Sequence, residues 1–322
     1  MKKFNNLSFY RGLAAISILV FHLYFCFSNN SDIINLLSKQ VQGLTALSGF
    51  LYANKVIKSK YKFYRKNFIK IIRPALLILI LTLFSTTMLY LINGGSITDY
   101  WFNRTKYNSL LFIYGNFWYI PIILICYLIT PLLNKTKDKN ILAIILLIII
   151  LIIEEYLGYK IGGFPITIIA YVIGYYLGSN KDVYNSLTSD CPNYRYILIT
   201  LLLLIITLIT YFNVNDVLNN NIGRYIANLA SSLYGVLSFI LISLLFKFLN
   251  KIKVLDNLFK ISDSISYPFY LFNQLFMSGG FIILINDNIH ISFIFILLAT
   301  TLASFLISKL DLIISNKYKG SY

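Results

Sequence analysis

The stretch LSFYRGLAAISILVFHLYFCF (7–27) is apolar, yet it carries two side chains able to do chemistry. They are Arg11 and His22, the latter one of only two histidines in the chain. At about 100° per residue, an eleven-residue spacing returns to within roughly 20° of three full turns, so on a helix the two share a face. At about 1.5 Å rise per residue they lie roughly 16 Å apart along the axis. In a hydrocarbon core about 30 Å thick, Arg11 then sits near the cytoplasmic headgroups and His22 near mid-bilayer. An ionisable group at that depth is costly and faces a cavity or a partner. Arg11 alone also fits a snorkelling interfacial anchor, and His22 alone an interhelical hydrogen bond. Their shared face favours one joint site. There an imidazole would exchange a proton near neutral pH and a guanidinium would hold an anion.

Other reactive residues are few. Cys26, Cys126 and Cys191 have no metal-ligand or disulfide spacing, and no metal is expected. P-loop and GxGxxG patterns are absent from the sequence. His290, in NDNIHIS, reads as an interfacial residue at a helix end. Ser48 has the chemistry of an acyl-carrying nucleophile, but next to Gly49 on a span it reads more simply as close helix packing. Glu154 and Glu155 are an acceptor-facing carboxylate pair or a solvated helix end. Trp118 and Tyr119 are sugar-stacking rings or part of an interfacial aromatic belt. Asn273 is polar within an apolar segment, and can hydrogen-bond across helices or toward a site.

The elements that position these residues follow from composition. The chain is 58% hydrophobic and 12% charged, with mean hydropathy +0.72. A soluble domain is nearer ~25% charged, so an all-α integral membrane protein is expected. Continuous runs such as AIILLIIILII (143–153) exclude a barrel, whose strands alternate. About ten transmembrane helices are predicted: 9–28, 40–57, 71–93, 112–133, 140–153, 161–178, 195–213, 226–247, 265–285 and 290–314. They form one transmembrane domain over 1–322, with no separate soluble domain. The first apolar segment lacks a small-residue cleavage site and is expected to stay as a helix. With both termini cytoplasmic, all but five of the 28 Lys and Arg fall on the inner side. The exceptions are Lys39, Arg104, Lys106, Lys160 and Arg224. That is the bias of the positive-inside rule. Most of the positive charge behind the net +16 is therefore topological. The partner it implies is the lipid bilayer and not nucleic acid.

Four stretches in order now carry a likeness. RGLAAISILVFH (11–22), LTALSGFLYANKV (44–56), FWYIPIILICYLITPLL (117–133) and ISDSISYPFYLFNQ (261–274) resemble signatures of the acyltransferase-3 family. Its members are multi-spanning membrane O-acyltransferases. In order, the signatures are the Arg–His first helix, the Ser-Gly-Phe second helix, the Trp-aromatic helix ending in Pro-Leu and the late Ser-Tyr-Tyr-Leu helix. The likeness spans most of the chain. Two positions depart from it: Asn67 stands where many members have a basic residue, and Asn273 where many have histidine.

The resemblance implies transfer of an acyl group, acetyl above all, from acetyl-CoA or another acyl-CoA. The acceptor would be a hydroxyl of a cell-surface polysaccharide or of its lipid-linked glycan precursor. It implies a multi-pass protein of the cell (cytoplasmic) membrane, with catalysis by His22 and Arg11. The donor phosphates would lie on Arg11 with Lys66 and Lys70, and the acceptor near Trp118, Tyr119 and Asn273. Two rival readings remain at this stage. One is a glycan transporter or exporter with Arg11 and His22 lining its path, against which the lack of internal repeats weighs. The other is a catalytically inactive relative.

The topology makes a direct prediction. Reporter fusions after residues 62, 138, 186, 253 and 319 should read cytoplasmic, and those after 35, 104, 157, 218 and 287 external. A reversed reading in two successive loops removes a span and breaks the charge argument.

Overall fold

The computed structural model describes residues 4–26, 32–92, 119–135, 149, 164–189, 193–217, 221–277 and 289–319. Among them it is all-helical, without a strand. The helices are α1 (Asn5–Cys26), α2 (Asp32–Ser38), α3 (Gln40–Ala53), α4 (Lys60–Ile92), α5 (Tyr119–Lys135) and α6 (Phe164–Ser179). They continue with α7 (Lys181–Thr188), α8 (Tyr194–Val217), α9 (Asn221–Leu245), α10 (Leu255–Met277) and α11 (Ile289–Lys319). Five of them, α1, α4, α8, α9 and α11, are long and apolar enough to cross a membrane. α5 and α6 are shorter apolar helices. On α8, Leu198 is 69% and Leu202 60% exposed. Such a stripe is stable against lipid and not against water. The chain is a multi-pass membrane protein.

Each expected span except 140–153 overlaps a described helix; 112–118, 161–163 and 278–285 lie outside the described residues, as does 140–153 but for Ile149. Several helices outrun their apolar segments. α4 begins at Lys60 where the span begins at 71, and α10 begins at Leu255 where the span begins at 265. Hydropathy marks only the lipid-facing stretch, while a helix continues past it for as long as its backbone bonds do. The second span differs most. Its helix stops at Ala53, because the Asn54 side-chain amide donates to the Gly178 carbonyl at 2.6 Å and turns the chain. Upstream, α2 precedes it with only Lys39 between. The polar residues Asp32, Asn35 and Ser38 hid α2 from an apolar reading. α7 was also unforeseen. It is capped by the Asn180 carboxamide oxygen, which accepts from the backbone N–H groups of Asp182 and Val183.

The chain divides into two compact units. The first comprises 1–18, 32–64 and 122–262. Its core joins Tyr10, Ala46, Leu47, Phe50, Leu187 and Phe239. α3 and α6 run parallel in backbone contact. Ala46 meets Gly174 and, one turn on, Phe50 meets Gly178. A Cβ at Gly174 would strike the Ala46 carbonyl, and one at Gly49 the Tyr171 carbonyl. Side-chain amides tie down the start of α1. Asn6 donates to the carbonyls of Leu187 at 3.0 Å and Ser243 at 2.8 Å. Asn5 donates to the Leu249 carbonyl at 3.1 Å and to Asp256 Oδ1 at 2.6 Å. Buried polar groups need such partners where no water reaches.

The second unit comprises 19–31, 65–121 and 263–322. In it Arg73 Nη1 donates to Asp311 Oδ1 at 3.2 Å, linking α4 to α11. The Tyr267 hydroxyl donates to the Ile71 carbonyl at 3.1 Å, linking α10 to α4. Ser308 Oγ donates to the Ser264 carbonyl at 3.2 Å.

The α3–α6 contact can be tested. Gly174→Leu should force the two backbones apart at a cost of about 1–3 kcal/mol or more. Thermal unfolding of the protein in detergent should show a Tm well below wild type, with Gly174→Ala between them. An unchanged Tm in both variants would show that the helices do not touch there.

Candidate active site

α1 carries both Arg11 and His22. Among its described side chains only Ile16, 42% exposed, stands clear of the packing. Arg11 is half-buried, with the buried Leu7 and Ser8 one turn before it and the buried Ala14 and Ala15 one turn after. It therefore lies on a face that packs against protein. His22 is also half-buried, with the buried Ile18 and Leu19 one turn before it. Its ring meets that of Phe21 edge-on at 5.1 Å. Arg11 belongs to the first unit and His22 to the second.

Around Arg11 the first unit builds an aromatic surround. The Arg11 guanidinium lies within electrostatic reach of the Tyr52 hydroxyl, which is itself hydrogen-bonded to Tyr127. The Tyr52 ring meets the Tyr127 ring edge-on at 5.2 Å and the Phe63 ring at 5.6 Å. Lys55 Nζ stands 4.5 Å from the centre of the Tyr52 ring and 5.4 Å from that of Phe63, a cation held against π faces. Tyr52 thus has one cation over its ring and feels the charge of a second.

α5 holds this arrangement to the bundle. Asn134 Nδ2 donates to the Lys55 carbonyl at 2.9 Å, and its Oδ1 accepts from the Tyr175 hydroxyl. Thr130 Oγ1 donates to the Cys126 carbonyl at 2.7 Å, so in its 2.6 Å bond with Tyr171 it is the acceptor. Tyr64 donates to the Leu128 carbonyl at 3.2 Å. An apolar helix thereby fixes the loop between α3 and α4 through side-chain amides and hydroxyls.

The remaining expected site residues are placed as follows. Lys66 and Lys70 are exposed on α4, in the second unit, whereas Arg11 is in the first. Between them Asn67 is 2% exposed. An amide suits that buried position where a cation would be penalised. Tyr119 is 8% exposed and its ring meets Tyr270 edge-on at 5.4 Å. Trp118 and the Asn273 side chain lie outside the described residues, as do Glu154 and Glu155. Ser48 Oγ donates to the Leu44 carbonyl one turn back at 3.0 Å, beside the Gly49 contact. His290 is exposed at the start of α11. Among the described residues no three His, Cys, Asp or Glu gather as a metal site. Tyr52 and Asn134 were not singled out from sequence. Lys55 entered only as one of the basic run 55–73, part of which fits a phosphate site and most of which reads better as topology.

Residues 4–309 match the acyltransferase-3 family model, an acyltransferase domain. The match covers essentially the whole chain, so the chain belongs to that family. It is an acyltransferase moving groups other than amino-acyl groups. No curated protein and no solved structure matches it.

The amide clamp carries a prediction. Asn134→Leu is close in volume but leaves the Lys55 carbonyl and the Tyr175 hydroxyl without the carboxamide. Each buried group so deprived costs about 1–3 kcal/mol. The Tm in detergent should fall, and limited proteolysis should cut sooner between residues 54 and 60. Wild-type protection of that loop would show that Asn134 does not hold it.

Proposed function

We propose that this acyltransferase-3 family member is a membrane O-acyltransferase of the cell membrane. It moves an acyl group, acetyl first, from acyl-CoA to a hydroxyl of a cell-surface polysaccharide or of its lipid-linked precursor. The chain crosses the membrane ten times with both termini in the cytoplasm, a reading supported by the one-sided distribution of Lys and Arg. The observation that carries the proposal is α1, a family-matched helix with about half of its described side chains buried that bears Arg11 and His22 eleven residues apart.

The chemistry follows from the two side chains. The donor is cytosolic, and its negatively charged nucleotide is drawn to Arg11, whose planar guanidinium suits phosphate. From there the acyl end extends along the face of α1 toward His22. The acceptor hydroxyl oxygen attacks the thioester carbonyl carbon. The new C–O bond forms as the C–S bond breaks, and the hydroxyl proton passes to the His22 imidazole. The leaving thiolate then takes up that proton and departs as free coenzyme A. An imidazole is suited to both proton transfers near neutral pH.

The deciding experiment replaces His22 with glutamine, which keeps a hydrogen-bonding head but is no base near neutral pH. Acyl transfer should fall by about 10²–10⁴, while membrane insertion and donor binding persist. The readout is mass analysis of the host's surface polysaccharide, together with acyl-CoA turnover by the purified protein. Wild-type acylation by His22→Gln would make the histidine a packing residue and end the assignment.

A further inference from the structure

The second span is broken at Lys39, the single residue between α2 and α3. Its backbone, with φ −72° and ψ −5°, leaves the α-helical values. On either side the hydrogen bonds tighten to three residues. The Lys39 N–H donates to the Leu36 carbonyl at 3.1 Å, and the Gln42 N–H to the Lys39 carbonyl at 3.1 Å. No proline stands at the break. The α9 backbone comes up against it instead, since a Cβ at Gly235 would strike the Lys39 carbonyl and crowd the Gln42 Cβ. All of these residues belong to the first unit.

Depth makes the break costly. The 14 residues of α3 rise about 21 Å, less than a hydrocarbon core of about 30 Å. With Ala53 at the cytoplasmic end, as the proposed topology has it, Lys39 lies in the outer part of the core. An irregular backbone at such depth is tolerated where it is packed in protein or lines a cavity. An ionisable side chain there is a candidate for function.

Three groups at the break call for a ligand. Lys39 is half-buried. Among the described residues, which include every side chain from 33 to 53, its ammonium makes no hydrogen bond or ion pair. No side chain caps the amino end of α3, the positive pole of the helix dipole. One turn on, Gln42 is 9% exposed, and its Oε1 is buried with no hydrogen-bond partner among the described residues. Gln40 differs, because its Oε1 accepts from the Tyr10 hydroxyl at 3.0 Å. Residues 39 and 42 are three apart and share a face of the helix. Lys39 and the helix end call for an anion. Gln42 Oε1 calls for a donor, which a bare anion lacks. A sugar bearing an acidic group presents an oxyanion and neighbouring hydroxyls on one ring, and answers all three.

We infer that the break between α2 and α3 is an acceptor-binding site for an anionic sugar. Lys39 and the amino end of α3 hold its oxyanion, and Gln42 Oε1 accepts a hydrogen bond from an adjacent hydroxyl. The inference rests on the function proposed above and narrows its acceptor to an acidic glycan. Two sources share the chemistry, the carboxylate of an acidic sugar and the phosphate of a sugar phosphate.

The test uses the full-length protein in phosphatidylcholine nanodiscs, titrated under magnetic resonance. The probes are methyl glucuronide, glucose 1-phosphate and the uncharged methyl glucoside. Wild type should bind an anionic probe more tightly than the neutral one, and the probe that binds names the source. K39Q should raise the Kd of that probe about tenfold, as for the loss of one charge-assisted hydrogen bond, and K39R should stay near wild type. Gln42→Leu separates a ligand group from a packing group. Leucine fills a similar volume without an unpaired carbonyl oxygen, so the ligand-free Tm should match or exceed wild type while the probe binds more weakly. Unchanged probe affinity in Gln42→Leu overturns the role of Gln42. Affinities that do not differ between charged and uncharged probes, or between wild type and K39Q, overturn the inference and make Lys39 a snorkelling anchor. Those results leave the transferase reading standing, since His22→Gln decides it. Lys39-dependent binding of an anionic probe by a protein that never transfers an acyl group keeps the site and removes the transferase.

Discussion

The first unit depends on one contact, the meeting of the α3 and α6 backbones at Gly49 and Gly174. Helices in lipid gain little from hydrophobic burial against one another, so they associate by close packing and by hydrogen bonds. Once α3 and α6 touch, their registers are linked. That linkage aligns Tyr171 and Tyr175 of α6 with Thr130 and Asn134 of α5. Asn134 in turn holds the backbone of Lys55, and Lys55 stands over Tyr52 at the end of α3. A small-residue seam in the apolar interior thus decides where a surface cation sits.

α1 shows the complementary constraint. A helix enclosed by protein is an expensive place for a guanidinium and an imidazole, because charge in an apolar interior is penalised unless it is paired or functional. The start of the helix is secured by Asn5 and Asn6, which bond to carbonyls from three separate segments and to Asp256. With that anchoring, the position of Arg11 becomes a consequence of helix geometry. The same helix carries His22 eleven residues further on.

On the proposed topology, positive charge keeps the ends of the helices on one side of the membrane, a requirement indifferent to exact position. Convergence of Lys55, Lys60 and Lys135 on one cavity is a matter of position alone. The proposed topology accounts for the abundance of lysines there, and packing explains why these three meet.

Sequence by itself determined the class of the molecule. The apolar runs, the charge asymmetry and the four ordered stretches were enough for an all-helical membrane protein and for its family. They also placed Arg11 and His22 on one helix. These are properties of composition and of single-helix periodicity, which a linear reading contains. The tertiary structure alone decided which residues of α1 are buried, that Asn67 is buried and that Lys66 and Lys70 are exposed. It alone revealed α2 and α7, whose polar residues carry no hydropathy signal and whose helices are set by a cap and by packing. It alone set Lys55 over the Tyr52 ring, and it alone brought Lys135 to Lys60, because residues 75 positions apart meet only when glycine contacts and amide bonds between helices fix the register.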